Sequence, residues 1–136
     1  MNNVELYYPV LTLIIFTAAI MCWLLITRIS AMKKREVSPK FFKTHDNGEC
    51  LPEMAMQVTK NFTNLQEAPI IFYALCVFSI VLNKVDTMQV YLAWGFVISR
   101  MLHSIVHITV NHVNSRFMIF GISWVFLIVL AVRIAL

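Results

Sequence analysis

From Leu6 to Thr27 the chain carries no charged residue. As a helix rising about 1.5 Å per residue, that run reaches across the roughly 30 Å hydrocarbon core of a bilayer. Lipid cannot bond a free backbone amide, so a chain with such a run crosses as closed helices. No basic stretch precedes it and no small-residue cleavage motif follows it, which predicts a retained helix rather than a signal peptide. The rest of the chain agrees: 60% of its 136 residues are hydrophobic and 13% charged, against roughly 25% charged in an average soluble domain. The length suits a single domain, residues 1–136.

The net charge of +4 is concentrated. Arg28, Lys33, Lys34, Arg35, Lys40 and Lys43 follow the first apolar run, the signature of a cytoplasmic loop. No aromatic–basic interleaving accompanies them, which argues against a nucleic-acid partner. Ile29 to Pro52 reads as the one long polar loop, with a turn at "HDNGE". Cys22, Cys50 and Cys76 form no C-x-x-C pair and predict neither a disulfide framework nor a zinc ribbon.

Three more spans follow. The apolar run Ala68–Leu82 is too short alone and must extend back through Glu67, Asn64 and Lys60. Pro69 removes one backbone donor there and is expected to bend the helix. "NKVD" makes a tight exit loop. The next span starts near Thr87 and must continue through Arg100 to about Ile108; the last runs from Phe117 to the C-terminus, after a turn at Asn111–Arg116, with Arg133 able to snorkel. The expected fold is all-α, an integral membrane four-helix bundle. The basic loop lies in the cytoplasm and both termini outside.

Helical spacing gathers the polar residues. Lys60, Asn64 and Glu67 stand at i, i+4, i+7; Arg100, His103, His107 and Asn111 stand at i, i+3, i+7, i+11. Such stripes on spanning helices should face the bundle interior. Two explanations stand open: a Glu67–Arg100 salt bridge that fixes packing, or a polar pocket for a charged ligand. His103 and His107 could both reach a metal, but Ser104 stands where an H-E-x-x-H motif needs glutamate and no third ligand is evident. No metal site is expected. The tryptophans and methionines are expected in packing, and Gly95 and Gly121 could let helices approach closely.

"NFTNLQEAPIIFYAL" together with "SRMLHSIVHITVNHVNSRF" resembles the MAPEG family, the membrane-associated proteins of eicosanoid and glutathione metabolism, and most its bacterial branch. The N-x-x-E element is Asn64–Glu67, the R-x-x-H element is Arg100–His103, and the arginine opening the last helix is Arg116. The resemblance covers nearly the whole chain. It implies a homotrimer in a bacterial inner membrane with sites between subunits, and glutathione as co-substrate. Lys60, Asn64, Glu67, Arg100, His103 and His107 would bind it, and Arg116 would stabilise its thiolate for transferase or peroxidase chemistry on small hydrophobic electrophiles. Arginine and lysine suit carboxylates, and Glu67 suits the ammonium. The chain departs from the catalytic members at Phe62 and Thr63, where a His–Arg pair is expected, and at Phe120 and His107, where tyrosines are. These changes remove donors to glutathione, and the alternative implied is a non-catalytic membrane protein binding a lipid or other small anion at the same place.

Overall fold

The computed structural model describes residues 4–44 and 50–136, and the "HDNGE" turn with His45 lies outside that range. Among the described residues there are five helices and no strand: α1 (Val4–Lys33), the short α2 (Phe41–Thr44), α3 (Glu53–Val81), α4 (Thr87–Ile108) and α5 (Val113–Ala135). The α3 and α4 boundaries follow the sequence expectation, with α3 reaching back past Lys60 and running unbroken through Pro69. Two expectations are corrected. The first helix does not stop at Thr27 but runs on to Lys33, about one and a half turns into the expected loop. Arg116 is not in a turn but within the first turn of α5, because His112 caps that helix by accepting the Ser115 N–H.

The four long helices form one bundle. α3 and α4 pack on each other; α1 and α5 flank that pair with no close backbone approach between them among the described residues. α1, α3 and α5 are long and apolar enough to cross a membrane. α4 is not among them because half its buried face is polar: Gln89, Ser99, Arg100, His103, Ser104 and His107 are interleaved with Leu92, Phe96 and Val97. The outer faces carry exposed Ile14, Leu25, Ile70, Val77, Tyr91 and Val125, as expected of surfaces that meet acyl chains.

Two apolar layers bracket that polar stretch. One joins Leu6, Leu13, Phe72, Phe96 and Leu130, with the Phe72 and Phe96 rings stacked at 4.6 Å. The other joins Ile20, Leu24, Val58, Leu65 and Ile108. A third, small cluster of Ala31, Val37 and Phe41 folds the chain after α1 back on itself. Most helix hydroxyls bond their own backbone, as Thr17 to the Leu13 carbonyl and Ser79 to the Leu75 carbonyl, so they need no partner across helices.

Gly95 is where α4 and α5 come closest to interpenetrating. A methyl group there would lie 2.6 Å from Phe126 Cε1 and 2.8 Å from its Cζ. Gly121, by contrast, faces open space. Gly95→Ala gains about 1 kcal/mol of helix propensity but forces the ring aside at about 1–3 kcal/mol. The substitution should therefore destabilise the wild-type bundle slightly and stabilise a Phe126→Leu background. Unfolding in mixed micelles, read by helicity, checks the reversal of sign.

At the opposite end from the polar layer, Asp86 closes the bundle. Its Oδ1 accepts the Gln89 N–H at 2.7 Å, and its Oδ2 meets the Arg133 guanidinium. Lys84 donates to the Ile134 carbonyl at 2.9 Å, serving an orphan acceptor at the end of α5. Arg133 therefore reaches a carboxylate as well as water. The Gln89 amide, more than the Arg133 charge, holds the Asp86 carboxyl below its usual range. A lowered value stabilises the fold above the unfolded pKa, near 4, and that stability disappears as pH falls through the folded value. Asp86→Ala should cost about 1 kcal/mol at neutral pH, and Asp86→Asn, still a good cap, less. The gap between wild type and Asp86→Ala should shrink as unfolding is repeated at falling pH.

Candidate functional site

The polar layer is built mainly by α4. Arg100 is fully buried, with Nη2 donating to the Asn64 carbonyl of α3 at 2.7 Å. Its Cζ lies 5.5 Å from the centre of the Phe120 ring of α5, a cation–π distance. Its Nε and Nη1 are buried and have no partner among the described residues. One turn on, His103 is 3% exposed, and its Nδ1 lies 3.1 Å from the Arg116 carbonyl. A carbonyl only accepts, so the hydrogen sits on Nδ1, and Nε2 of the neutral ring is an acceptor; it too lacks a partner. His107 follows, its ring 5.9 Å from that of His103, with both nitrogens buried and unpartnered.

Arg116 completes the group from the first turn of α5. Its Nη1 donates to Asn111 Oδ1 at 2.6 Å. Asn111 is in the α4–α5 turn with a left-handed backbone, φ 50°, a conformation asparagine tolerates better than most residues. That turn aims the amide at the guanidinium. Asn64, His103, Val113, Arg116, Phe117 and Phe120 line a cleft of about 250 Å³. Its chemistry is one fixed cation, one imidazole and one amide against an aromatic wall. An anion with an apolar portion matches that lining.

The sequence-predicted residues divide. Asn64, His103 and Arg116 line the cleft together, Arg100 lies against Asn64 and Phe120, and His107 is buried one turn further on. Lys60 and Glu67 are exposed on the outside of the single chain. The expected Glu67–Arg100 salt bridge is not formed: Glu67 acts on the Arg100 charge only at a distance. The one ion pair among the described residues is Arg133–Asp86. The expectation that the Lys60–Asn64–Glu67 stripe faces inward is corrected by one helical step. The buried face of α3 runs through Val58, Asn61, Leu65, Ala68 and Phe72. Asn61 is fully buried with neither end of its amide partnered, and it stood on the i, i+4 spacing of Leu65. Asn111, expected on the α4 stripe, lies beyond the end of α4 in the α4–α5 turn, where its amide meets Arg116; the role of Phe117 left no such signal, because it depends on how that turn folds.

No group of three or more metal-ligating side chains occurs among the described residues. Cys76 is buried in the apolar core, whereas Cys22 and Cys50 are exposed. A sequence model described as the MAPEG family matches residues 6–136. No curated protein and no solved structure matches the chain significantly.

Proposed function

The chain belongs to the MAPEG family, membrane proteins of glutathione and eicosanoid metabolism, and from that membership we propose that it binds glutathione and conjugates it to hydrophobic electrophiles. The observation that carries this proposal is the unspent donor capacity of a buried face. Arg100 keeps two partnerless nitrogens and Arg116 is clamped by Asn111 beside an open cleft. Glutathione offers two carboxylates, an ammonium and a thiol. Arg100 and Lys60 suit the carboxylates, Asn64 the peptide groups, and Glu67 the ammonium. Arg116 stabilises the thiolate, the form that attacks. His103 Nε2 is the acceptor for the thiol proton. The sulfur then bonds the electrophilic carbon, and the leaving group departs with the bonding electrons.

The protein acts as a homotrimer in this proposal. Lys60 and Glu67 are exposed on a helix long and apolar enough to span. Lipid cannot satisfy them, so a neighbouring subunit must. The cleft then lies between subunits, with Lys60 and Glu67 supplied across the interface. The basic segment after α1 faces the cytoplasm, both termini face outward, and the membrane is a bacterial inner membrane.

Adding glutathione to the detergent-solubilised protein at neutral pH tests the proposal by the ultraviolet absorbance of bound thiolate. Growth of that band to saturation is expected. Binding without the band leaves a non-catalytic binding protein, the outcome that the ring of Phe120, with no hydroxyl to offer the sulfur, would favour. Absence of binding removes glutathione as the ligand.

A further inference from the structure

A second cleft, of about 220 Å³, opens between the end of α1 and the start of α3. It lies where the uncharged run of α1 gives way to the basic segment, which is the level of a membrane–water boundary. Its walls change character across that boundary. On the apolar side stand Ile26, 65% exposed, and Met54, 47% exposed. On the aqueous side stand Thr27, Ser30, Lys34 and Glu36.

The geometry of α1's end explains why two opposite charges share the rim. Arg35 adopts a left-handed backbone, φ 56°. The Glu36 N–H bonds the Ala31 carbonyl at 3.0 Å and the Arg35 N–H bonds the Met32 carbonyl at 3.1 Å. This reversal ends the helix and returns the chain so that Glu36 lines the same cleft as Lys34. Neither forms an ion pair with the other or with any described residue. The nearby acid Glu53 accepts from Gln57 Nε2 instead. Ser30 adds a hydroxyl with no partner among the described residues.

We propose that this cleft binds the headgroup of an ethanolamine phospholipid, with its phosphate at Lys34 and Ser30 and its ammonium at Glu36. The charge pattern selects this headgroup. Among the described residues the rim holds one free cation and one free anion, which matches a zwitterion. A purely anionic lipid meets repulsion from Glu36, and a choline headgroup has no N–H to donate to it. The exposed flanks of Ile26 and Met54 receive the acyl chains. The remaining cations of the segment, Arg28, Lys33, Arg35, Lys40 and Lys43, do not line the cleft and act on the membrane surface without selecting a headgroup.

Trp23 does not line the cleft but stands one turn before Thr27 and two before Ser30 on α1, which ends just before Lys34, so it reports on acyl chains seated there. A Trp94→Phe, Trp124→Phe background leaves Trp23 as the only emitter, and lipids with brominated acyl chains quench it on contact. In mixed bilayers, brominated phosphatidylethanolamine should quench at least about threefold more effectively than phosphatidylcholine or phosphatidylglycerol. Lys34→Gln should weaken phosphatidylethanolamine and phosphatidylcholine together, by about fivefold. Glu36→Gln should erase the preference for ethanolamine over choline and raise phosphatidylglycerol. Lys33→Gln, a control one residue away, should change neither ratio. Equal quenching by the three lipids, or a preference for phosphatidylglycerol in the parent, overturns the proposal. So does displacement by millimolar soluble phosphoethanolamine, since the bound molecule would then need no acyl chains.

Discussion

Arg100→Met leaves the bundle folded, keeps or raises its stability by up to about 2 kcal/mol, and abolishes glutathione binding. The expectation follows from what Arg100 does and does not contact. It gives one bond to the Asn64 carbonyl and one cation–π contact to Phe120, together on the order of 1–3 kcal/mol. Against these stands a guanidinium with zero exposure, two nitrogens without partners and no ion pair. Charged side chains in such settings cost several kcal/mol, and apolar residues of similar size often replace them without loss. Arg100→Ala is a different experiment: it leaves a cavity and should destabilise by about 2–5 kcal/mol. Detergent-induced unfolding of both variants separates the cases. A loss of more than about 2 kcal/mol in Arg100→Met would mean that the arginine is there to hold the helices together.

Arg116→Ala should leave glutathione bound, within about tenfold of wild type, and remove its thiolate signal. A free thiol titrates near 8.5, and a fixed cation within ~4–6 Å lowers an acidic group's value by about 1–3 units. That range takes bound glutathione from mostly protonated to between about a quarter and almost wholly ionised at pH 7. Without the guanidinium the thiol returns to the free value or above it. Asn111→Ala keeps the charge but frees Arg116 Nη1 from its 2.6 Å clamp, so its thiolate pKa should fall between those of the wild type and Arg116→Ala. A titration of thiolate absorbance against pH in the three proteins measures the series. An Asn111→Ala curve superposable on wild type would show that the clamp does not position the arginine.

The sequence was informative where one helix decided the outcome. Spacing on α4 alone placed Arg100, His103 and His107 on one face, and all three are buried. It was less informative for α3, where Lys60, Asn64 and Glu67 share a face as regular as that of Val58, Asn61, Leu65 and Phe72. Periodicity finds faces; it cannot say whether a polar face meets the chain's own core or a neighbouring subunit. Buried Glu67 was inferred from the cost of charge in lipid, and the same cost now points outward, to a partner. The end of α1 is not legible in the uncharged run, because the basic residues that follow it, Arg28 and Lys33, are good helix formers and continue the helix. The Asn111–Arg116 bond depends on a left-handed turn residue, which no hydrophobic pattern encodes. The sequence therefore predicted the bundle nearly helix by helix and the polar members of the cleft, Asn64, His103 and Arg116, but not Val113 and Phe117 of its apolar wall.

On this proposal the α4 face holds a ligand rather than serving only to pack the helices. Calorimetric titration of glutathione into the wild-type protein and Arg100→Met, both in mild detergent at neutral pH, tests this most directly. The predicted result is a saturable heat in the wild type with a Kd below about 1 mM, corresponding to some −4 kcal/mol or better, and none in a folded Arg100→Met. Equal binding by the two proteins, or no saturable heat from the wild type at ~10 mM glutathione, would contradict it.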